Sequence, residues 1–103
     1  MLSILIPTKD YNCRVLVEEL SRQCVGLGVP CEILIGEDGS TDEGIEQNRS
    51  IAQLPCCRII EYKVNLGRAR VRNRLAEEAQ YDNLIFIDSD AIVEKRNFLS
   101  TYL

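Results

Sequence analysis

The chain has 103 residues, with 12 basic and 16 acidic side chains and neither histidine nor tryptophan. This length allows one compact domain, whose single core would bury roughly 60–68% of the surface of the unfolded chain. The absence of histidine excludes a Ser-His-Asp triad, a Cys-His dyad and an imidazole metal site. A net charge of −4 argues against a surface devoted to nucleic acid, so no nucleic-acid partner is expected.

The cysteines bear on the redox environment. Their number is odd and their spacing contains no C-x-x-C or other metal-ligand pattern: Cys13, Cys24, Cys31, Cys56 and Cys57. We therefore expect reduced, mostly buried thiols in a cytoplasmic protein. The N-terminus has no basic segment before an apolar run, and no apolar stretch approaches the length of a transmembrane segment.

Strand and helix signals alternate along the chain. Residues 2–6 form a short apolar run that ends at Pro7 and predicts a strand, and a helix follows with apolar residues at helical spacing from Leu16 to Leu27. Residues 32–36 predict a second strand, 41–54 a weakly patterned helix and 58–62 a third strand. Residues 66–80 predict a helix, 83–87 a fourth strand, and a last helix is expected from about Lys95. Asp10 or Asn12 is expected to cap the first helix, and Ser40 with Glu43 the second.

This alternation predicts an α/β fold, in which an open, mostly parallel sheet is flanked by helices. Ligands bind such sheets at the carboxyl ends of the strands. The polar residues at the predicted strand ends are Thr8, Lys9, Asp10, Glu37, Asp38, Asp88 and Asp90. The functional site is therefore expected at this edge of the sheet.

Asp88 and Asp90 flank a serine after a very apolar strand. Two carboxylates without a histidine nearby offer the hard oxygen ligands that suit Mg²⁺ or Mn²⁺. Asp38 could accept hydrogen bonds from a base or a ribose. In the alternative interpretation, Asp88 caps a turn, Asp90 is solvated, and residues 37–40 form an ordinary turn before a capped helix.

Residues 63–74 carry five basic side chains and no acidic one. On a helix, Arg68 and Arg72 form one ridge, and Arg70 and Arg74 form another. One ridge could face an anionic ligand, and the other is expected to be solvated and paired with acidic residues. Gly67 would let backbone N–H groups approach a phosphate or a base, or would only make a tight turn.

Four motifs occur in the order, and on the predicted elements, that are typical of the family-2 glycosyltransferases. The chain resembles this family from residue 3 to about residue 93, and the four motifs together are specific although each is weak alone. They are Ser3-Ile4-Leu5-Ile6-Pro7-Thr8, Glu37-Asp38-Gly39-Ser40-Thr41-Asp42, Asn65-Leu66-Gly67-x-x-Arg70-x-x-Asn73 and Asp88-Ser89-Asp90.

The resemblance implies the Rossmann-like N-terminal half of a GT-A fold that binds a nucleotide-diphosphate sugar, with a UDP-sugar favoured. It assigns base contacts to Pro7, Thr8 and Asp38, and places Gly67 in the nucleotide-binding motif. It further assigns the base or diphosphate to Arg70, ribose or metal to Asp88, and Mn²⁺ or Mg²⁺ to Asp90. The implied reaction is inverting transfer of the sugar to an acceptor hydroxyl. One departure is that Lys9 and Asp10 stand between Thr8 and the Tyr11-Asn12 pair, which puts base contacts from that loop in question.

The resemblance also implies a general base downstream of residues 88–90, and no residue of this chain is assigned to it. We expect residues 1–103 to be the donor-binding part of a longer glycosyltransferase domain and to be inactive alone. The acceptor is not identified and is expected to be a glycan or a lipid-linked molecule. Relatives commonly build surface polysaccharides, so a cytoplasmic location that extends to the inner face of the cell membrane is consistent with the resemblance. The alternatives are an enzyme resembling nucleotidyltransferases and a non-catalytic nucleotide-binding module.

Overall fold

The computed structural model describes residues 1–102. Its strands are β1 (Leu2–Thr8), β2 (Cys31–Asp38), β3 (Cys57–Tyr62) and β4 (Asn83–Phe86). Its α-helices are α1 (Arg14–Gly26), α2 (Asp42–Arg49) and α3 (Arg68–Glu78), and Ser50–Gln53 and Leu99–Tyr102 form short 3₁₀ helices. The predicted order of elements is confirmed.

The four strands form one parallel sheet in the order β3-β2-β1-β4. β1 is central, and its first residue, Leu2, is paired with Cys31 of β2 and with Asn83 of β4. Each crossover carries a helix or a helical segment, as parallel strands require. The structure therefore confirms the predicted α/β class with an open sheet and flanking helices.

Side chains that alternate along the strands form two core layers, one on each face of the sheet. Ile4, Ile6 and Ile33 face α1, where Leu20 packs against them. Leu5 and Leu34 face the other side and pack against Val71 and Leu75 of α3. Because both faces are covered, the strands contain continuous apolar runs.

The structure corrects three details of the predicted elements. β1 continues through Pro7 to Thr8, and Pro7 is paired with Gly36 of β2. The β4 ladder stops earlier, at the pair of Leu5 with Phe86. The expected last helix from Lys95 is limited to a 3₁₀ turn at Leu99–Tyr102.

The predicted cap of α2 is wrong in its residue, whereas Asn12 does accept a hydrogen bond at the start of α1. Thr41 is the N-cap of α2 and its hydroxyl accepts a hydrogen bond from the Gly44 N–H. Ser40 instead donates to Glu37. Cys13 precedes α1 without a side-chain cap, while the Asn12 side chain accepts from the Arg14 N–H. The capping box fails because the chain turns one residue later than the spacing suggests.

Two of the five cysteines form a disulfide, which joins Cys24 of α1 to Cys31 of β2. The expectation of reduced thiols is wrong for this pair, whereas Cys13, Cys56 and Cys57 are free. The turn that carries the chain from α1 into β2 brings the two sulfurs together, although their spacing is no recognised motif. The cysteines no longer support a cytoplasmic location, which stays a prediction. No helix within residues 1–102 has the length and apolar character needed to cross a membrane.

Candidate functional site

The carboxyl ends of β1 and β2 form the floor of a small cleft. It has a volume of about 200 Å³ and is lined by Pro7, Thr8, Lys9, Asp38, Arg68 and Ser89. We call it the central cleft. Three residues that the resemblance assigns to nucleotide binding, Pro7, Thr8 and Asp38, are therefore adjacent to one another. Their meeting follows from the pairing of β1 with β2, which aligns the two strand ends.

The Thr8 hydroxyl is a buried polar group of a residue that lines this cleft. Thr8 is 4% exposed, and its Oγ1 atom has no hydrogen-bond partner among the residues described. A buried polar atom left without a partner is destabilising, so such atoms in native proteins call for an explanation. An ordered water beside Oγ1 would satisfy it, as would a ligand in the central cleft after the Thr8 side chain turns toward the cleft.

Asp38 organises the loop that leads into α3. Its carboxylate accepts hydrogen bonds from the Leu66 N–H at 2.6 Å and from the Gly67 N–H at 3.2 Å. Gly39 has a φ of +67°, and a Cβ atom there would lie 2.5 Å from the backbone nitrogen of Asn65. Glycine at this position therefore permits the close approach that Asp38 needs. A carboxylate offers about four lone-pair positions, so Asp38 keeps capacity for a ligand donor.

Glu37 supports the same strand end from within the core. It is completely buried, and its carboxylate accepts hydrogen bonds from Ser40 Oγ at 2.6 Å and Asn48 Nδ2 at 2.7 Å. Burial raises its pKa, and these hydrogen bonds oppose that rise. Asp10 accepts from the backbone and hydroxyl of Thr41, which lowers the pKa of Asp10. Glu37 and Asp10 therefore hold the loops around the cleft.

A second cleft, of about 330 Å³, lies beside the first and contains Asp88. We call it the Asp88 cleft; it is lined by Pro7, Arg68, Arg72, Phe86, Ile87 and Asp88. Arg68 forms an ion pair with Asp88. The Arg72 guanidinium lies 4.4 Å from the centre of the Phe86 ring, within the range of a cation–π interaction.

The structure decides which arginine ridge faces the candidate site. Arg68 and Arg72 line the Asp88 cleft, whereas Arg70 and Arg74 line a separate cleft of about 350 Å³ with Leu66, Asn73 and Glu77. Arg70 is therefore not brought to Asp38 or Asp88, and its assigned role stays a prediction. The family motif assigns no role to Arg68 or Arg72. Their four-residue spacing did indicate that they share one ridge of the helix, which could face an anionic ligand. Gly67, with a φ of +87°, is the N-cap residue before α3, and its backbone N–H donates to Asp38 in the central cleft.

Asp88 and Asp90 line different clefts on either side of a tight turn. The Ala91 N–H donates to the Asp88 carbonyl at 3.0 Å, which closes this turn. Asp90 faces a larger groove of about 560 Å³ between the start of α1 and residues 89–93. Within residues 1–102, no cluster of three or more carboxylates or thiols is arranged to hold a metal ion. Two exposed carboxylates suit Mg²⁺ or Mn²⁺ where ligand oxygens and water complete the coordination.

A family model matches this chain over most of its length. The family model described as Glycosyl transferase family 2 matches residues 3–101. A comparison with curated protein sequences found no match.

Among solved structures, the mannosyltransferase PcManGT from Pyrobaculum calidifontis in complex with GDP-Man and Mn²⁺ is similar with a TM-score of 0.74 and 22% identity. That similarity covers 96% of this chain and 30% of PcManGT. Residues 1–349 of S. aureus TarS in complex with UDP-GlcNAc are similar with a TM-score of 0.63 and 24% identity, over 86% of this chain and 26% of that one.

These structural similarities show the fold, which is the Rossmann-like part of the GT-A fold. The chain spans less than a third of the length of either protein. The family match covers nearly all of its residues. The chain belongs to glycosyl transferase family 2.

Proposed function

We propose that this chain binds a nucleotide-diphosphate sugar, together with Mn²⁺ or Mg²⁺, for inverting transfer of the sugar to an acceptor hydroxyl. The observation that carries the proposal is the central cleft, where the unpartnered Thr8 hydroxyl lies beside Asp38. The adjoining Asp88 cleft adds two guanidinium groups, which suit a diphosphate.

Each end of the donor would meet groups of matching chemistry. The base would lie in the central cleft, where Asp38 accepts from a ring N–H and Thr8 Oγ1 gains a partner. The diphosphate would extend into the Asp88 cleft, with the guanidinium groups of Arg68 and Arg72 on its oxygens. Asp88 would accept from the ribose or share a metal ion with Asp90. The ligands in the similar structures support this class of ligand, since PcManGT holds GDP-Man and TarS holds UDP-GlcNAc.

Asp88 and Asp90 line different clefts, so holding one metal ion together would require the turn between them to bring their carboxylates together. The bound ion would neutralise charge on the diphosphate leaving group. The two residues supply hard oxygen ligands, and Asp90 has no ion-pair or hydrogen-bond partner within residues 1–102 that would compete for it. The choice of base is proposed as uracil from the family resemblance. PcManGT, with a guanine nucleotide, makes GDP the necessary comparison.

Calorimetry of UDP, GDP and dTDP, each with and without Mn²⁺, tests this proposal. We expect tighter binding with Mn²⁺ and a preference for UDP. Asp90→Ala should abolish the effect of Mn²⁺, whereas Asp82→Ala, an exposed carboxylate before β4, should retain it. A nucleotide affinity that is the same with and without Mn²⁺ would contradict the metal assignment. The absence of binding for all three nucleotides would contradict the donor site.

A further inference from the structure

Arg68 contacts the carboxylate that the proposed site needs for its ligand. We infer that Arg68 is a latch on Asp88: it neutralises Asp88 while the site is empty and transfers to the donor diphosphate when metal and nucleotide bind together. The inference rests on the proposed function and concerns how that same site is regulated.

The position of Arg68 allows both states. It is the first residue of α3, and it lines the central cleft as well as the Asp88 cleft. Its backbone follows Gly67, which Asp38 fixes, so the start of the side chain is held while its end is free to move. One guanidinium can therefore reach either the carboxylate or an anion lying between the two clefts.

The strengths of the two interactions favour the transfer of Arg68 from Asp88 to the diphosphate. The side chains of Arg68 and Asp88 are 69% and 63% exposed, and an ion pair this exposed contributes only about 0–1 kcal/mol. A diphosphate carries more negative charge than one carboxylate and can accept two parallel N–H bonds from a guanidinium. A divalent cation on Asp88 would also repel Arg68. The nucleotide therefore offers Arg68 a better partner at the point where the metal displaces it.

The consequence is cooperative binding. A metal ion that binds alone must compete with Arg68 for Asp88. When metal and nucleotide bind together, the metal gains the Asp88 carboxylate and the diphosphate gains the released Arg68 guanidinium. Binding of either ligand should then strengthen binding of the other, and this coupling is reciprocal. The latch would keep the site from holding a metal ion without a donor.

Arg68→Gln separates the two halves of the inference. Mn²⁺ alone is titrated and followed by the electron paramagnetic resonance signal of the free ion, and UDP and GDP are titrated calorimetrically at saturating Mn²⁺. We expect Arg68→Gln to bind Mn²⁺ alone about two- to fivefold more tightly, because the competing pair is lost. It should bind the nucleotide about tenfold more weakly, because a charged hydrogen bond is lost.

Arg74→Gln is the matched control, since it removes the same charge from the same helix at a position outside both clefts. It should change neither affinity, and Arg68→Lys should restore part of the nucleotide affinity. A Mn²⁺ affinity that is unchanged or lower in Arg68→Gln would overturn the inference and leave the proposed function intact. Wild-type protein that binds no nucleotide with Mn²⁺ would overturn both.

Discussion

Arg72 contributes a guanidinium to the Asp88 cleft, where it lies against the ring of Phe86. Arg70 is only two residues away, yet it lines a cleft that contains neither Asp38 nor Asp88. Two residues along a helix rotate a side chain by about 200°, so neighbouring arginines reach opposite sides. The role that the motif assigns to Arg70 can therefore be tested directly against Arg72.

We predict that Arg72→Gln weakens nucleotide binding in the presence of Mn²⁺ by about tenfold, as expected for the loss of a charged hydrogen bond. Arg70→Gln makes the same change in charge on the other ridge and should have a smaller effect. Calorimetry of both variants with one nucleotide provides the measurement. A larger loss for Arg70→Gln would support the assignment from the family motif instead.

Glu37 makes stability depend on pH. Burial raises its pKa in the folded protein above the ordinary value, so the folded state binds the proton more tightly than the unfolded state. Its contribution is greatest below the unfolded pKa and is lost as the pH rises through the folded pKa. We predict that Glu37→Gln removes this decline, as measured by urea unfolding between about pH 4 and pH 8.

Glu43→Gln, on α2, is a suitable control because Glu43 is exposed. It should reproduce the pH dependence of the wild-type protein. A decline of the same size in Glu37→Gln would show that another group is responsible.

At the scale of elements, the approach of two loops places Asp38. The turn after β2 meets residues 65–67 before α3, and Gly39 lies so near the Asn65 backbone that a Cβ atom would not fit. The strands and helices could form with a wider gap between these loops. With a wider gap, the backbone N–H groups of Leu66 and Gly67 could not form their hydrogen bonds to Asp38. Gly39 therefore links the fold to the candidate site.

We predict that Gly39→Ala destabilises the protein by about 2 kcal/mol, through strain at positive φ and the clash with the backbone of Asn65. Nucleotide binding should weaken as well, because Asp38 would move relative to the central cleft. Gly26→Ala provides the control, since a Cβ there has no atom within 4 Å and it ends a helix in which alanine is favourable. Equal stability of the two variants would contradict the role given to Gly39.

The Cys24–Cys31 disulfide connects the end of α1 to the start of β2. Closing a short loop of this kind restricts the unfolded chain, with a stabilisation of about 2 kcal/mol in the chain-entropy model. We predict that a reductant lowers the unfolding midpoint of the wild-type protein in urea. The double variant Cys24→Ser with Cys31→Ser should be insensitive to it. A wild-type midpoint that the reductant does not change would argue that the two thiols are free in solution.

At the scale of the whole molecule, the parallel sheet brings the carboxyl ends of β1, β2 and β4 to one edge. β1 lies between β2 and β4, so Thr8, Asp38 and Asp88 are presented by three adjacent strands. The chain nevertheless spans only 30% of PcManGT and 26% of the TarS chain, and its clefts are open. Under the proposed function, these residues supply the binding of the sugar donor.

We predict that the 103-residue chain binds the nucleotide but transfers no sugar, because no residue within it is assigned as the general base for an acceptor hydroxyl. An assay with radiolabelled UDP-sugar and GDP-sugar donors, Mn²⁺ and simple glycan or lipid-linked acceptors would measure transfer. The calorimetric binding experiment on the same preparation serves as the control for folding. Transfer above the level of Asp90→Ala would contradict this prediction.

The sequence by itself determined the α/β class, the order of elements and the edge that carries the site. Apolar runs and helical spacing are local properties, and alternating strands and helices leave few topologies open. It also predicted that Thr8, Asp38 and Asp88 would meet, because parallel strands end at a common edge.

Only the tertiary structure decided which side chains face the clefts. The choice of Arg68 and Arg72 over Arg70 depends on how α3 rotates when Val71 and Leu75 pack against the sheet. Three other features depend on contacts between segments that only the fold brings together. They are the hydrogen bond of Asp38 with Leu66, the pairing of Cys24 with Cys31, and the burial of Glu37. Such contacts are set by packing, which leaves no pattern in the residues that it brings together.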